Sequence, residues 1–143
     1  MSMILSLIQF GVLLALLLYA SIKDIRAREV PDSVSGMMLI LGLVGITAGD
    51  LPSMLLGMAL VFLPQYLAAI INPDKALGGA DIKLSSAAAF LLGAPKGLFA
   101  LIAGLTLAVI TVPIVRAVRK LPKNESFPLV PFLSVGIFTA YLI

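Results

Sequence analysis

Two aspartates stand at the edges of long apolar runs, and their type and position suggest chemistry. Asp81 belongs to the stretch Gly78-Gly79-Ala80-Asp81-Ile82-Lys83, which separates the apolar runs Ser53 to Ile71 and Leu84 to Leu92. Asp24 lies just past the first apolar run of the chain. Ionisable groups at the edge of hydrocarbon are costly, so both carboxylates are candidates for a functional site.

The residues around Asp81 suggest how such a site is shaped. Gly78 and Gly79 allow a tight turn and the close approach of another backbone, and Ala80 keeps the path to the carboxylate narrow. Asp81 itself is expected at the start of a helix, where the positive dipole end favours a carboxylate. Lys83 either orients the site or contacts a substrate carboxylate or lipid phosphate, or it is a basic anchor at the membrane surface.

The amino-acid composition limits which kinds of catalytic and metal-binding site the protein can form. The chain has 143 residues, of which 61% are hydrophobic and 12% charged, whereas soluble domains average about 25% charged residues. It contains no cysteine, histidine or tryptophan, which excludes disulfides, thiol nucleophiles, Ser-His pairs and the usual zinc sites. We therefore expect no metal and no cofactor. No basic run with interleaved aromatic residues suggests nucleic acid.

Apolar runs predict an all-α polytopic membrane protein with six transmembrane helices in one domain, residues 1–143. A retained first helix is favoured over a signal peptide, because no basic residue precedes it. The fourth helix would be only about 21 Å long, so its Asp81 end is expected below the membrane surface. The predicted helices are Met3 to Ile22, Val34 to Ala48, Ser53 to Ile71, Asp81 to Ala94, Gly97 to Val115, and a last one that follows Pro128 and ends at Ile143.

Two further patterns concern the ends and faces of these helices. Asp32 or Ser33 is expected to cap the second helix, and Pro95-Lys96 is expected to turn the chain before the fifth. Small residues at every fourth position of the fifth helix are typical of close helix packing in membranes; they are Ala100, Gly104 and Ala108.

The basic residues predict the orientation of the protein. Nine of the ten Lys and Arg residues fall in the loops after the first, third and fifth helices, and only Lys96 falls on the other side. The positive-inside rule places those three loops in the cytoplasm and both chain ends outside a plasma (inner) membrane. Asp24 and Asp81 are then both on the cytoplasmic side.

Two carboxylates on one side could share a site if the first and fourth helices pack together. Such a pair holds one proton between its members and performs aspartic-protease chemistry without His, Cys or metal. Other interpretations remain: Asp24 as a solvated residue, Asp81 as a helix cap, or both as an ion or proton relay of a small transporter or channel component. In a non-catalytic membrane assembly subunit both would serve as caps.

Three segments carry a family resemblance. Gly78 to Leu84 resembles the G-x-G-D-x-K-L stretch of type IV prepilin peptidases, the GxGD class of membrane aspartyl proteases. Asp24 to Asp32 resembles their D-x-R-x-R-x-I/V-P-N/D segment, and Pro128 to Leu133 resembles P-x-x-P-F-L before their last helix. The resemblance implies that Asp24 and Asp81 are the catalytic pair.

The resemblance also implies a substrate and a type of enzyme. The substrate would be a prepilin-like protein of the type IV pilus class, with a short basic leader that is cut at the cytoplasmic face. Membrane lipids would be the other partners, and nucleic acid is not expected. Ala80 stands where the family motif has its second glycine. The chain lacks the cysteine-bearing methyltransferase domain of larger members, so it resembles a short, stand-alone peptidase.

Overall fold

The fold is a bundle of helices, given by a computed structural model that describes residues 3–27, 29–72, 79–120 and 128–143. These ranges contain six helices and no strand, so the all-α prediction is confirmed for them. The helices are α1 (Met3–Ala27), α2 (Asp32–Gly42), α3 (Leu51–Ile71), α4 (Gly79–Leu92), α5 (Ala94–Arg119) and α6 (Val130–Leu142).

Helix α4 forms the centre of the bundle. It packs against α2, α3, α5 and α6, and every residue from Leu84 to Phe90 is buried. Serine and alanine dominate this run and allow neighbouring helices to come close. A Cβ atom on Gly97 of α5, for example, would lie only 2.7 Å from the Cβ of Ala89. The helix that carries Asp81 is therefore fixed from several sides.

The first and last helices lie side by side and are joined by polar side chains. The hydroxyl groups of Ser21 and Ser134 are 3.0 Å apart and share a hydrogen bond. Nearer the start of α1, the Tyr141 hydroxyl donates to Oε1 of Gln9 at 2.9 Å, and Nε2 of Gln9 donates to the Leu41 carbonyl at 3.0 Å. These bonds connect α1 to both α6 and α2.

Small residues bring α5 and α6 into close contact. Ala100, Gly104 and Ala108 are all buried, which confirms the packing stripe predicted from their spacing. A Cβ atom on Gly104 would lie 2.9 Å from the Cα of Leu133. A Cβ atom on Gly136 of α6 would collide with the carbonyl oxygen of Ala100. The separation of the two helices therefore depends on the absence of side chains here.

Three helices have the length and composition needed to cross a membrane. They are α1, α3 and α5, with 25, 21 and 26 residues. Many of their large apolar side chains point away from the bundle and are exposed. Helices α2, α4 and α6 have only 11, 14 and 13 residues. Membrane crossing by these shorter helices remains a prediction.

Two loops differ from the sequence prediction, because α2 ends earlier and α5 begins earlier than expected. A glycine with positive φ lies in each of these loops. Helix α2 ends at Gly42 and not at Ala48, and the following Gly45 has a φ of 74°. The chain turns at Gly93, whose φ is 87°. Pro95-Lys96 is therefore not a turn but part of the first turn of α5, where a proline loses no helical hydrogen bond.

Candidate active site

Asp24 lies inside α1, because the helix continues past the predicted end at Ile22 to Ala27. Its residue surface is only 9% exposed, so the alternative of a solvated residue is wrong. Its Oδ2 accepts a hydrogen bond of 3.0 Å from the backbone N–H of Val130, the first residue of α6. A carboxylate thus satisfies one of the N–H groups that a helix start leaves without a partner in the helix.

Asp81 lies in the first turn of α4. The helix begins at Gly79, two residues before the predicted start. Asp81 is therefore the third helical residue and not the cap considered as an alternative. Both Ala80 and Asp81 are half-buried, whereas Gly79 is exposed. The carboxylate is close to the positive end of the helix dipole, as the sequence predicted.

The two aspartates line one cavity. Its volume is about 630 Å³, and it lies where the end of α1 meets the starts of α2 and α4. The residues that line it are Lys23, Asp24, Ala27, Glu29, Val30, Pro31, Asp32, Gly79, Ala80 and Asp81.

The cavity separates the helices that carry the two aspartates. No Cα atom of α1 lies within 8 Å of one in α4, so the condition under which the two carboxylates could meet, close packing of these helices, is not fulfilled. Helices α2 and α6 each contact both of them. The Cα atoms of Asp24 and Asp81 are therefore more than 8 Å apart, and the two side chains face the cavity from different sides.

Lys83 forms an ion pair at the margin of the cavity. Its Nζ lies 3.0 Å from Oδ1 of Asp32, and both side chains are exposed. The predicted cap on α2 is wrong, because Pro31 holds the N-cap position and no side chain caps that helix. Exposed pairs contribute only about 0–1 kcal/mol, so this pair links the starts of α2 and α4 without adding much stability.

The glycines before Asp81 differ from the expectation. Gly78 lies outside the described residues. A Cβ atom built on Gly79 would meet nothing within 4 Å in the described part of the chain, so the predicted close approach of a backbone at Gly79 is wrong. Gly79 does line the cavity. Its absent side chain leaves open space there instead of making room for a neighbouring helix.

Sequence reasoning missed two groups that support the aspartates. One is a buried polar contact between α3 and α4, in which Nε2 of Gln65 donates to the Ser85 hydroxyl at 3.0 Å and to the Val61 carbonyl at 2.7 Å. Ser85 follows Asp81 by one helical turn. A polar residue within an apolar run was the available signal. The other group is the backbone N–H of Val130. Every residue except proline has such a group, so residue types could not reveal it.

Asp50 lies at the opposite end of the bundle and has a structural role. Its Oδ2 accepts hydrogen bonds from the backbone N–H and the hydroxyl of Thr47, each 3.0 Å long. These bonds stabilise the charged carboxylate and hold the pKa of Asp50 below its ordinary value. Asp50 therefore stabilises the turn that precedes α3.

A metal site would need several donors close together. The described residues contain no group of three or more acidic side chains that could hold one ion. Activity without a metal stays a prediction, to be tested with chelators.

Comparison with known protein families gives one match. Residues 11–113 match the model of the type IV leader peptidase family. The matched range covers α1 from Gly11 onward, all of α2, α3 and α4, and most of α5, and it includes both aspartates. No curated protein and no solved structure matches the chain. Because the family match extends over more than half of the 143 residues, the chain belongs to the type IV leader peptidase family.

Proposed function

We propose that the protein is a membrane aspartyl endopeptidase that removes the short basic leader of pilin-like precursors at the cytoplasmic face of the plasma membrane. The observation that carries this proposal is the shared cavity, which Asp24 and Asp81 line from different helices. Family membership supports the reaction class. In this proposal the two aspartates are the catalytic pair.

The chemistry follows from two carboxylates that share one proton. The ionised member takes a proton from a water molecule, whose oxygen attacks the carbonyl carbon of the scissile peptide bond. The protonated member gives its proton to the carbonyl oxygen. The tetrahedral intermediate then collapses and the C–N bond breaks. The leaving nitrogen takes up the proton that the water gave, and one hydroxyl of the intermediate returns its proton to the other aspartate as the C=O bond re-forms.

The size of the cavity suits an extended peptide. A peptide bond inside a helix is shielded by its neighbours, so the segment that is cut must be unwound. The cavity of about 630 Å³ and the separation of α1 from α4 leave room for such a segment between the two aspartates. The water and the peptide would then bridge carboxylates that do not need to touch.

The charges around the cavity suit a basic leader. Among the lining residues that the structure describes, four are acidic, namely Asp24, Glu29, Asp32 and Asp81, and one, Lys23, is basic. A leader that carries Lys or Arg would be attracted to this surface. The apolar helix behind the leader would lie in the bilayer beside the enzyme.

We further propose that all six helices are embedded in the membrane as one domain, with the cavity open to the cytoplasm. The distribution of basic residues supports this orientation. Helices α1, α3 and α5 are long enough to cross completely, while the short α4 would start below the surface. Its Asp81 would then lie at the level where the apolar part of a substrate begins.

The test is co-expression with a pilin-like precursor, followed by gel mobility and N-terminal sequencing of the product. Asp24→Asn and Asp81→Asn should each abolish cleavage and leave a folded, membrane-inserted protein. Asp50→Asn is the matched control, because it removes a carboxylate at the opposite end, and it should cleave nearly as well as wild type. Appreciable cleavage by either variant of the pair would rule out the aspartyl mechanism.

A further inference from the structure

The Asp24 carboxylate is held by a helix that begins more than a hundred residues later. The N–H of Val130 donates to its Oδ2 across a sequence separation of 106 residues. Its other oxygen, Oδ1, makes no hydrogen bond with the part of the chain that the structure describes. One oxygen is therefore held by α6, and within the described residues the other has no partner that would keep it from a water in the cavity that Asp24 lines.

We infer that the backbone N–H of Val130 is a positioning group for the reaction, and that the start of α6 fixes the direction in which Asp24 presents its reactive oxygen. The inference rests on the proposed function. It adds a group that does not touch the substrate and acts only through Asp24.

One backbone N–H in the first turn of α6 has no acceptor within the helix, and it donates to Asp24. Pro131 has no N–H. The N–H groups of Phe132 and Leu133 both donate to the Leu129 carbonyl, each at 3.1 Å. Since buried backbone donors need partners, and Val130 is 0% exposed, the bond to Asp24 satisfies the one remaining donor of this turn.

The Val130 N–H is held near the Asp24 carboxylate, because hydrogen bonds join α1 and α6 at further points along their length. The hydroxyl pair of Ser21 and Ser134 lies one helical turn deeper in the bundle. The bond from Tyr141 to Gln9 lies near the far end of the same contact. The Asp24 to Val130 bond is the outermost of these three polar links. The other two hold α1 and α6 in the register that brings the Val130 N–H to Asp24.

The dipoles of α1 and α6 act in opposite directions on this carboxylate. Asp24 lies close to the C-terminal end of its own helix, where the partial charge is negative and disfavours a carboxylate. The N-terminal end of α6 supplies the opposite partial charge at hydrogen-bond distance. Without the Val130 donor, the side chain would be free to rotate its oxygens out of the position that serves a water.

The test that removes this N–H with the least other change is an ester substitution. Valine at position 130 is replaced by its α-hydroxy acid, which turns the amide into an ester, keeps the side chain and also makes the Leu129 carbonyl a weaker acceptor. The same exchange at Val135, an exposed residue of α6, weakens the preceding carbonyl in the same way and removes a backbone donor that does not face Asp24.

We expect the ester at position 130 to lower kcat by about 10-fold to 100-fold, with KM changed by less than about twofold, because only the orientation of Asp24 is lost. The ester at position 135 should keep most of kcat. The infrared band of the Asp24 carboxylate, taken as the difference from Asp24→Asn, should shift in the ester at position 130 and stay in place in the ester at position 135. A purely structural role would not move that band selectively.

The possible results separate the two claims. An ester at position 130 with wild-type kcat, or an unshifted carboxylate band, overturns the inference while the proposed function stands. Equal losses of kcat in the esters at positions 130 and 135 also overturn it. If the unmodified protein does not cleave a pilin-like precursor, or if Asp24→Asn still cleaves it, the proposed function itself is wrong.

Discussion

Substitution of Gly136 by alanine should damage the protein far more than alanine at Gly11 or Gly36, two helical glycines without close neighbours in the described part of the chain. A Cβ atom at this position would collide with the Ala100 carbonyl oxygen and lie 2.9 Å from the backbone nitrogen of Gly104. Both neighbours are main-chain atoms within α5 and cannot rotate away. Helix α6 must therefore move away from α5 by a large part of an ångström.

The size of the effect follows from this displacement. Overpacking in a well-packed core costs about 1–3 kcal/mol, so we expect a loss of stability in that range. Val130 precedes Gly136 by six residues, or about 9 Å along the helix axis, and moves with it. A misplacement of about 1 Å in a catalytic arrangement can cost about 100-fold in rate. The cleavage rate should therefore fall by more than the loss of folded protein accounts for.

The assay is the rate of precursor cleavage in membranes at matched protein level, with a thermal melt in detergent alongside. Gly11→Ala and Gly36→Ala are the controls, because a Cβ atom at either position meets nothing within 4 Å. They should keep wild-type rate and stability. If Gly136→Ala behaves as these controls do, the close contact between α5 and α6 does not position the site and our reasoning is wrong.

Three further predictions concern the cavity and its surroundings. Full cleavage should survive chelators, and a loss that a divalent ion restores would make Asp24 and Asp81 metal ligands. A single cysteine in the loop around Lys120 should resist an impermeant thiol reagent in intact cells, and labelling from outside would reject the orientation. Lys83→Met breaks an exposed pair with Asp32, so it should lower the free energy of unfolding by less than about 1 kcal/mol; a melt that falls much further would show a larger role for the pair.

The sequence was sufficient to single out two carboxylates that lie at the same end of the bundle. Asp24 and Asp81 were singled out because each interrupts or borders an apolar run, and they line one cavity. The stripe at Gly104 was also visible, because small residues at every fourth position lie on one helix face. These features depend on periodicity and polarity, which a sequence contains directly.

The geometry of the site was beyond the sequence. The choice of helix neighbours depends on how surfaces fit, so the sequence left open whether α1 and α4 pack together, and in the structure their Cα atoms do not approach within 8 Å. The same applies to Gly79, where the structure has open space and no neighbouring backbone among the described residues. The Val130 N–H is present in any sequence, and only the fold shows that it faces Asp24.

The hydrogen bond between Asp24 of α1 and Val130 of α6 also determines when the site can be completed during synthesis. Translation proceeds at about 5–20 residues per second, so Val130, 106 residues after Asp24, is added roughly 5–20 s later. A nascent chain that has inserted α1 to α5 already carries both aspartates but lacks the group that orients one of them. Chains arrested before residue 128 should therefore cleave precursor poorly or not at all. Interrupted synthesis then leaves an inert membrane protein instead of a half-assembled protease.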